Sequence, residues 1–311
     1  MKERLLGFIN PALKIIKYVF GILAVVFVSQ YIFKNYAVIK KNLGEIDLII
    51  AAISIFIICL ALLMQIFVWH YITVVMNCEL KIKQSITTKI FAEFGKYIPG
   101  KITGIVMLMS LYKQEGKSTK NVTISYIIEV LSASLGACLI FLLSLYFSKT
   151  VVFDSYRNNA FLLLILFVIL LNPRILNFFI NLLLKFKNSD IKPVNFSNTT
   201  LLKILMLEMI VWFLFGVSLF VLINSIHPIP VSEFFYVCGS FSLSSIIGFF
   251  AIFAPAGIGV REGILIVILS KIIPPEIAGV VAVLSRLFLI LAELLLFFIG
   301  VLLRNTIKLR V

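Results

Sequence analysis

The residues best suited to chemistry follow one another in a single short segment of the chain. Pro255, Gly257 and Gly259 interrupt a long apolar stretch, and the charged residues Arg261 and Glu262 come next. Inside a bilayer, broken backbone is tolerated only where protein buries it or where it lines a wet cavity. Ionisable side chains at that depth are costly and are functional candidates by default. The segment therefore predicts a polar site within a membrane.

Three further charges, Glu129, Arg286 and Glu293, fall inside long apolar runs. Arg286 and Glu293 are two helical turns apart, so a helix would place them on one face. An arginine at the centre of a bilayer costs roughly 3 kcal/mol even on insertion scales. We therefore expect this face to contact protein or water rather than lipid.

The sequence leaves three arrangements of these charges open. In the first, an arginine pairs with one of the glutamates and only fixes the register of the helices. In the second, an arginine binds a phosphate through its bidentate fork, helped by the unpaired N–H groups of the helix that follows the break. Glu262 in the same turn would partly cancel that field. In the third, Glu129 and Glu293 form an acid–base pair, but no nucleophile or metal motif lies beside them.

A second break, at Pro99 and Gly100 in YIPGKITG, is similar to the first. Each break has proline, then glycine, then a basic residue, and each leads into a short apolar piece. Short segments interrupted by Gly and Pro in corresponding halves indicate the central site of a transporter. A similarity of a few residues also arises by chance. The breaks at 99–100 and 255–259 are thus expected to line the site, with an internal repeat as a hypothesis.

Composition places all these residues in a membrane protein. Hydrophobic residues make up 61% of the 311 residues, and the mean hydropathy is +1.12, beyond what a soluble domain can bury. Continuous apolar runs of roughly 20 residues recur, the length that crosses a bilayer, and they lack the alternation of a β-barrel. We expect one all-α polytopic domain over residues 1–311, with about eight transmembrane helices and one or two broken or re-entrant segments. The predicted spans lie near 15–33, 47–76, 120–147, 158–172, 200–226, 233–254, 260–273 and 276–303. Residues 260–273 are counted as a short crossing; if they are re-entrant instead, the C-terminus lies on the outer side.

Basic residues orient these spans. The net charge of +14 comes from 28 Lys and Arg residues that follow the connections between spans, which is the positive-inside pattern rather than a nucleic-acid footprint. Residues 77–119 have isoleucines at four-residue spacing, with Lys81, Lys83, Lys89 and Lys96 on other faces. This pattern predicts a cytoplasmic amphipathic segment whose lysines face anionic headgroups. We expect both termini on the cytoplasmic side of a bacterial or archaeal cell membrane.

Known motifs for cofactors and catalysis do not occur in the sequence. The four cysteines and two histidines are far apart, without the spacing of a metal site. There is no phosphate-binding glycine loop and no nucleophilic serine motif. We therefore expect no metal, no cofactor, no enzymatic activity and no nucleic-acid partner.

Four stretches carry a resemblance to a known family: FGKYIPGK (94–101), IIEVLSASLG (127–136), PAGIGVREGIL (255–265) and IAGVVAVLSRLFLILAELL (277–295). Together they resemble the transmembrane region of lysylphosphatidylglycerol synthases, also called flippase-like integral membrane proteins. The resemblance implies a fold of about eight spans and movement of a lipid between leaflets. On the matched motifs it implies these site residues: Arg261, Glu262, Arg286 and Glu293, and more weakly Pro99, Gly100 and Glu129.

Bifunctional members of that family also carry a cytoplasmic aminoacyl-transfer domain, whereas this sequence ends at Val311, soon after the last predicted span. We therefore do not expect lysyltransferase activity. The expected function is a membrane lipid translocase whose cargo is a phosphate-bearing lipid, an aminoacyl phospholipid or a polyprenyl-phosphate-linked intermediate. The alternative is a membrane-embedded subunit or scaffold of a lipid- or glycan-modifying enzyme, which would then be its partner in aminoacyl-phosphatidylglycerol synthesis or glycosyl transfer.

Overall fold

The computed structural model describes residues 46–94, 103–148, 174, 178, 197–251, 257 and 259–305. The elements whose bounds it gives are eight α-helices and one 3-10 turn, Val231–Glu233, so the predicted all-α class is confirmed. The helices are α1 (Leu48–Val75), α2 (Ile82–Glu93), α3 (Thr103–Gln114), α4 (Thr119–Phe147), α5 (Asn198–Asn224), α6 (Phe234–Phe250), α7 (Val260–Leu269) and α8 (Pro275–Asn305).

Among the described residues, five elements are long and apolar enough to cross a membrane: α1, α4, α5, α8, and α6 together with the 3-10 turn before it. They match five predicted spans to within a few residues at each end. The protein is therefore a polytopic membrane protein. The predicted spans near 15–33 and 158–172 lie outside the described residues, so the total of eight spans stays a prediction.

Several helices begin where the sequence supplies a capping side chain. At the start of α1, Asp47 Oδ1 accepts hydrogen bonds from the N–H groups of Ile49 (2.9 Å) and Ile50 (3.1 Å). Ser118 and Ser197 cap α4 and α5 in the same way. These oxygens satisfy N–H groups that have no partner within the helix, which fixes where each span begins.

α1 and α5 pack side by side in opposite directions. Ser54 Oγ donates to the Ser218 carbonyl oxygen at 2.9 Å, and the Asp47 N–H donates to the Ser225 carbonyl at 2.8 Å. Both bonds join the first part of α1 to the last part of α5. The two helices are therefore antiparallel.

α7 turns back along α6. A Cβ atom on Gly248 would lie 2.9 Å from the Cβ of Arg261, and the Tyr236 hydroxyl donates to the Ile268 carbonyl oxygen at 2.7 Å. The start of α7 therefore lies beside the end of α6, and its end lies beside the start of α6. With 10 residues it is about 15 Å long, half of a bilayer's hydrocarbon thickness. α7 lies within the segment 260–273, which was predicted as a short crossing, but a helix of this length cannot span the membrane alone.

α2 differs from the predicted surface helix. Lys81 and Lys83 are exposed, as a headgroup-facing pattern requires. Lys89 is only 3% exposed and lies between helices, so the prediction that it faces headgroups is wrong. A lysine can be buried where carboxylates compensate its charge, and two of them do so here. Lys96 lies outside the described residues.

Candidate functional site

Gly257 and Gly259 shape the described part of the break before α7. Their φ angles are +71° and +80°, in the left-handed region that other residues rarely adopt. Gly257 also approaches α6 closely, because a Cβ atom there would lie 2.7 Å from the Gly248 carbonyl oxygen. Glycine is thus required at Gly257 for both conformation and space. The other predicted break residues, Pro99, Gly100 and Pro255, lie outside the described residues.

Glu262 joins the break to α8. Its Oε2 accepts from the Gly259 N–H at 2.7 Å, which caps the first turn of α7. Its Oε1 lies 3.9 Å from Nε of Arg286 on α8. One buried carboxylate therefore caps a helix and also lies within ion-pair distance of an arginine on the neighbouring helix.

A cavity of about 490 Å³ lies between the helices. Seven of the eight described helices line it, all except α3. Four of the five charged residues predicted for the site are in its wall: Glu129, Arg261, Arg286 and Glu293. The fifth, Glu262, is not a lining residue and lies against Arg286. The structure thus brings the predicted charges together from α4, α7 and α8.

On one side of the cavity, Lys89 bridges two carboxylates. Its Nζ lies 2.7 Å from Glu129 Oε2 and 3.0 Å from Glu93 Oε1. It also lies 4.9 Å from the ring centroid of Trp69, close enough for a cation–π contact. The two carboxylates compensate the charge of this buried ammonium group. Glu129 is thus paired with a lysine rather than with an arginine.

On the other side, two arginines are held by different neighbours. The Arg261 guanidinium carbon lies 4.5 Å from the ring centroid of Phe241, and Arg286 lies against Glu262. Glu293 lines the cavity two turns along α8 from Arg286, on the face that the spacing predicted. All of these charged side chains are buried. Because these side chains are already packed in position, they can bind a phosphate, or a group that carries a positive and a negative charge, without first becoming ordered.

Sequence reasoning missed Lys89 and Glu93 as site residues. Both line the cavity, together with the polar residues Gln65 and Ser245. One available signal was the Lys-to-Glu spacing of four residues within TTKIFAEF, a stretch otherwise free of charge. Glu208 was visible inside a predicted span, yet it lies behind the wall, fully buried, where Ser132 Oγ donates to it at 3.4 Å.

Metal-binding groups give no second explanation of the cavity. Among the residues that the structure describes, no cluster of three or more His, Cys, Asp or Glu side chains has the geometry to hold a metal ion. The polar groups that line the cavity are ammonium, guanidinium, carboxylate, amide and hydroxyl, and they lie among aromatic and aliphatic side chains. Their chemistry is that of charged and hydrogen-bonding recognition.

Comparison with known proteins agrees with this geometry. The family model of the lysylphosphatidylglycerol synthase transmembrane region matches residues 14–296. That range contains both breaks and every charged residue that lines the cavity. No curated protein is similar enough to count as a match. The chain therefore belongs to the family of lysylphosphatidylglycerol synthase transmembrane regions.

Proposed function

We propose that the protein moves a phosphate-bearing lipid between the leaflets of a membrane, without enzymatic turnover. The family takes its name from enzymes that make an aminoacyl phospholipid. That name supports a lipid as the ligand. A phospholipid, an aminoacyl phospholipid and a polyprenyl-phosphate-linked intermediate share the phosphate that the site would recognise.

The observation that carries this proposal is the charged cavity between the helices. Lys89, Arg261 and Arg286 line it, and they would supply the cationic partners for a phosphate that the hydrocarbon of a bilayer lacks. Its volume of about 490 Å³ falls in the range of small-molecule sites, about 300–1,000 Å³. Such a cavity would provide a polar binding site for a lipid headgroup between the two aqueous phases.

Existing contacts pre-position the cations for this role. The Arg261 guanidinium lies over the Phe241 ring, Arg286 lies within ion-pair distance of Glu262, and Lys89 forms an ion pair with Glu129. A phosphate entering the cavity would compete with the carboxylates and form charge-assisted bonds in their place. The carboxylates would re-form their pairs once the headgroup left. Binding that is favourable but not tight is what a translocase needs.

The alternative, a membrane subunit or scaffold of a lipid- or glycan-modifying enzyme, is favoured by a different observation. The pairs Lys89–Glu129 and Glu262–Arg286 join neighbouring helices and would fix their register even if no ligand ever bound. In either role we propose a bacterial or archaeal cytoplasmic membrane with both termini on the cytoplasmic side.

Reconstitution into liposomes tests the proposal. Fluorescent analogues of a phospholipid, an aminoacyl phospholipid and a polyprenyl phosphate would be followed by dithionite quenching. We expect faster exchange of at least one lipid class with the purified protein. Arg286→Lys should remain folded but lose this acceleration, because lysine lacks the bidentate fork. Lys203→Arg, at an exposed position on α5, is the control and should transport normally. Folded protein that accelerates no lipid would favour the scaffold.

A further inference from the structure

We infer that the described protein consists of two equivalent halves of opposite orientation, residues 46–148 and 197–305, and that the cavity opens to each side of the membrane in turn. The first half contains α1 to α4, and the second contains α5 to α8. This deepens the proposed lipid movement, since it states how one site would be reached from both leaflets.

The order of the elements repeats, and so do the lengths of the long and short helices, although the second helix has 12 residues in the first half and 17 in the second. Each half has a long helix, a second helix, a stretch of sequence with proline and glycine, a short helix and another long helix. The long helices have 28 and 29 residues in the first half and 27 and 31 in the second, and the short ones have 12 and 10. Thr119 at the start of α4 follows Pro99 at the same spacing as Pro275 at the start of α8 follows Pro255.

The contacts between helices repeat in the same way. Exchanging α1 with α5, α2 with α6, α3 with α7 and α4 with α8 turns the set of substantial helix–helix contacts into itself. For example, α2 contacts α8 just as α6 contacts α4. The α1–α5 pair maps onto itself, so the axis relating the halves passes through it. Unrelated halves would have no reason to show this correspondence.

The packing of α2 and α6 shows that equivalent contacts have equivalent directions. α2 is antiparallel to α8. The ring centroids of Phe94 and Phe297 are 4.8 Å apart, and Ile90, one turn earlier in α2, lies against Gly300, one turn later in α8. Its counterpart α6 is antiparallel to α4. There Phe235 and Phe147 are 5.3 Å apart, and Gly239 lies against Ser144.

The orientation of the halves follows from α1 and α5. These are equivalent helices, and they run in opposite directions. The two halves are therefore inverted with respect to the membrane, with the axis between them in the membrane plane. Inverted repeats of this kind carry their site at the interface of the halves and give access to it from alternate sides.

The cavity lies at this interface. Four equivalent pairs of residues line it together, each separated along the chain by the interval between Pro99 and Pro255: Lys89 with Ser245, Glu93 with Phe249, Val130 with Arg286, and Ala133 with Leu289. Both members of each pair face the same space, so the cavity is two-fold in its construction. The charged residues do not follow this two-fold symmetry, because the two halves contribute their cations and anions at different equivalent positions.

The two short helices differ in their distance from the cavity, and this difference indicates the two conformations between which the protein would alternate. In this structure α7 reaches the cavity through Arg261, whereas α3 contributes none of the described lining residues. The position on α3 equivalent to Arg261 is Ile105, which is half-buried. In the opposite state we expect α3 to approach the cavity and α7 to withdraw from it. The two short helices would then gate access from opposite sides.

Single-cysteine labelling tests this inference without reference to any lipid. In a background with Cys59, Cys78, Cys138 and Cys238 changed to alanine, Ser245→Cys would place a reporter in the cavity. A membrane-impermeant maleimide is added to sealed vesicles from one side or the other. Two exposed controls mark the sides: Lys120→Cys at the start of α4 and Val231→Cys before α6, which lie at opposite ends because α4 and α6 are antiparallel.

We expect the Ser245→Cys thiol to be modified from both sides, while each control is modified from one side and the two controls from opposite sides. Modification of the cavity from a single side would overturn the inference. So would modification from both sides in vesicles that also leak carboxyfluorescein, since the cavity would then be a continuous pore. Ser134→Cys, on the α4 wall, is the second reporter if Ser245→Cys does not yield folded protein.

The labelling and the liposome assay fail independently. Lipid exchange with one-sided labelling would retain the proposed function and reject alternating access. Two-sided labelling in tight vesicles without exchange of any lipid would retain alternating access and reject lipid movement.

Discussion

Replacing Lys89 by methionine should be among the most damaging single changes in the cavity wall. Methionine is an unbranched side chain only one heavy atom shorter than lysine, and it removes the charge that two carboxylates share. Glu129, whose side chain is 5% exposed, would lose the partner that lies 2.7 Å away. At an effective dielectric constant of about 20, that separation corresponds to roughly 6 kcal/mol of attraction, before desolvation is subtracted. Breaking a buried pair from one side typically costs about 3–5 kcal/mol.

The structure also predicts the order of the related variants. Glu129→Gln should cost less than Lys89→Met, because Lys89 retains Glu93 at 3.0 Å. The double variant should be more stable than Lys89→Met alone, since no carboxylate at position 129 is then left buried without a counter-charge. Lys83→Met changes an exposed lysine on the same helix and should have little effect.

Thermal unfolding in detergent, followed by the fraction of protein that stays monodisperse, would measure these four variants. The expected order of melting temperature places Lys83→Met beside the unmodified protein and Lys89→Met lowest, with the double variant between them. The reasoning fails if Lys89→Met melts like Lys83→Met. It also fails if adding Glu129→Gln lowers the melting temperature further, because the two residues would then not be coupled.

Three further outcomes are expected. Gly257→Ala should lower stability by about 1–3 kcal/mol, because Gly257 has a positive φ and lies in close contact with α6. Gly263→Ala lies in open space on α7 and should be neutral or slightly stabilising in the same melting assay. Arg286→Lys should fold and yet slow lipid exchange in liposomes; unfolding of this variant would instead indicate a structural arginine. Cysteines at Lys117 and Asn305 should be labelled only from the cytoplasmic side, and labelling from outside at either position would refute the topology.

The spans were predictable because length and hydropathy are local properties of the sequence. The shared face of Arg286 and Glu293 was predictable for the same reason, since helical periodicity alone places them together. Lys89 was not, because its local spacing resembles that of a surface helix. The compensating charge lies on another helix, at Glu129, and no local pattern reveals it. Burial of a lysine depends on partners that only the tertiary structure supplies.

The break before α7 shows the same division. Glycine and proline signalled a break, and a glutamate three residues after Gly259 is the spacing of a helix cap. What the sequence did not reveal is that the Glu262 carboxylate also holds Arg286. Likewise, the similarity of the two breaks hinted at a repeat, but the opposite orientation of the halves depends on helix directions that no short motif encodes.

The distribution of the charge pairs bears on how the protein is made. Lys89, Glu93 and Glu129 all belong to the first half of the chain, while Glu262 and Arg286 belong to the second. Each half can therefore neutralise its own intramembrane charges as it leaves the insertion machinery, before the other half is in place. Docking of the halves then brings together surfaces on which these pairs are already formed, so neither Lys89 nor Arg286 has to face lipid without a counter-charge.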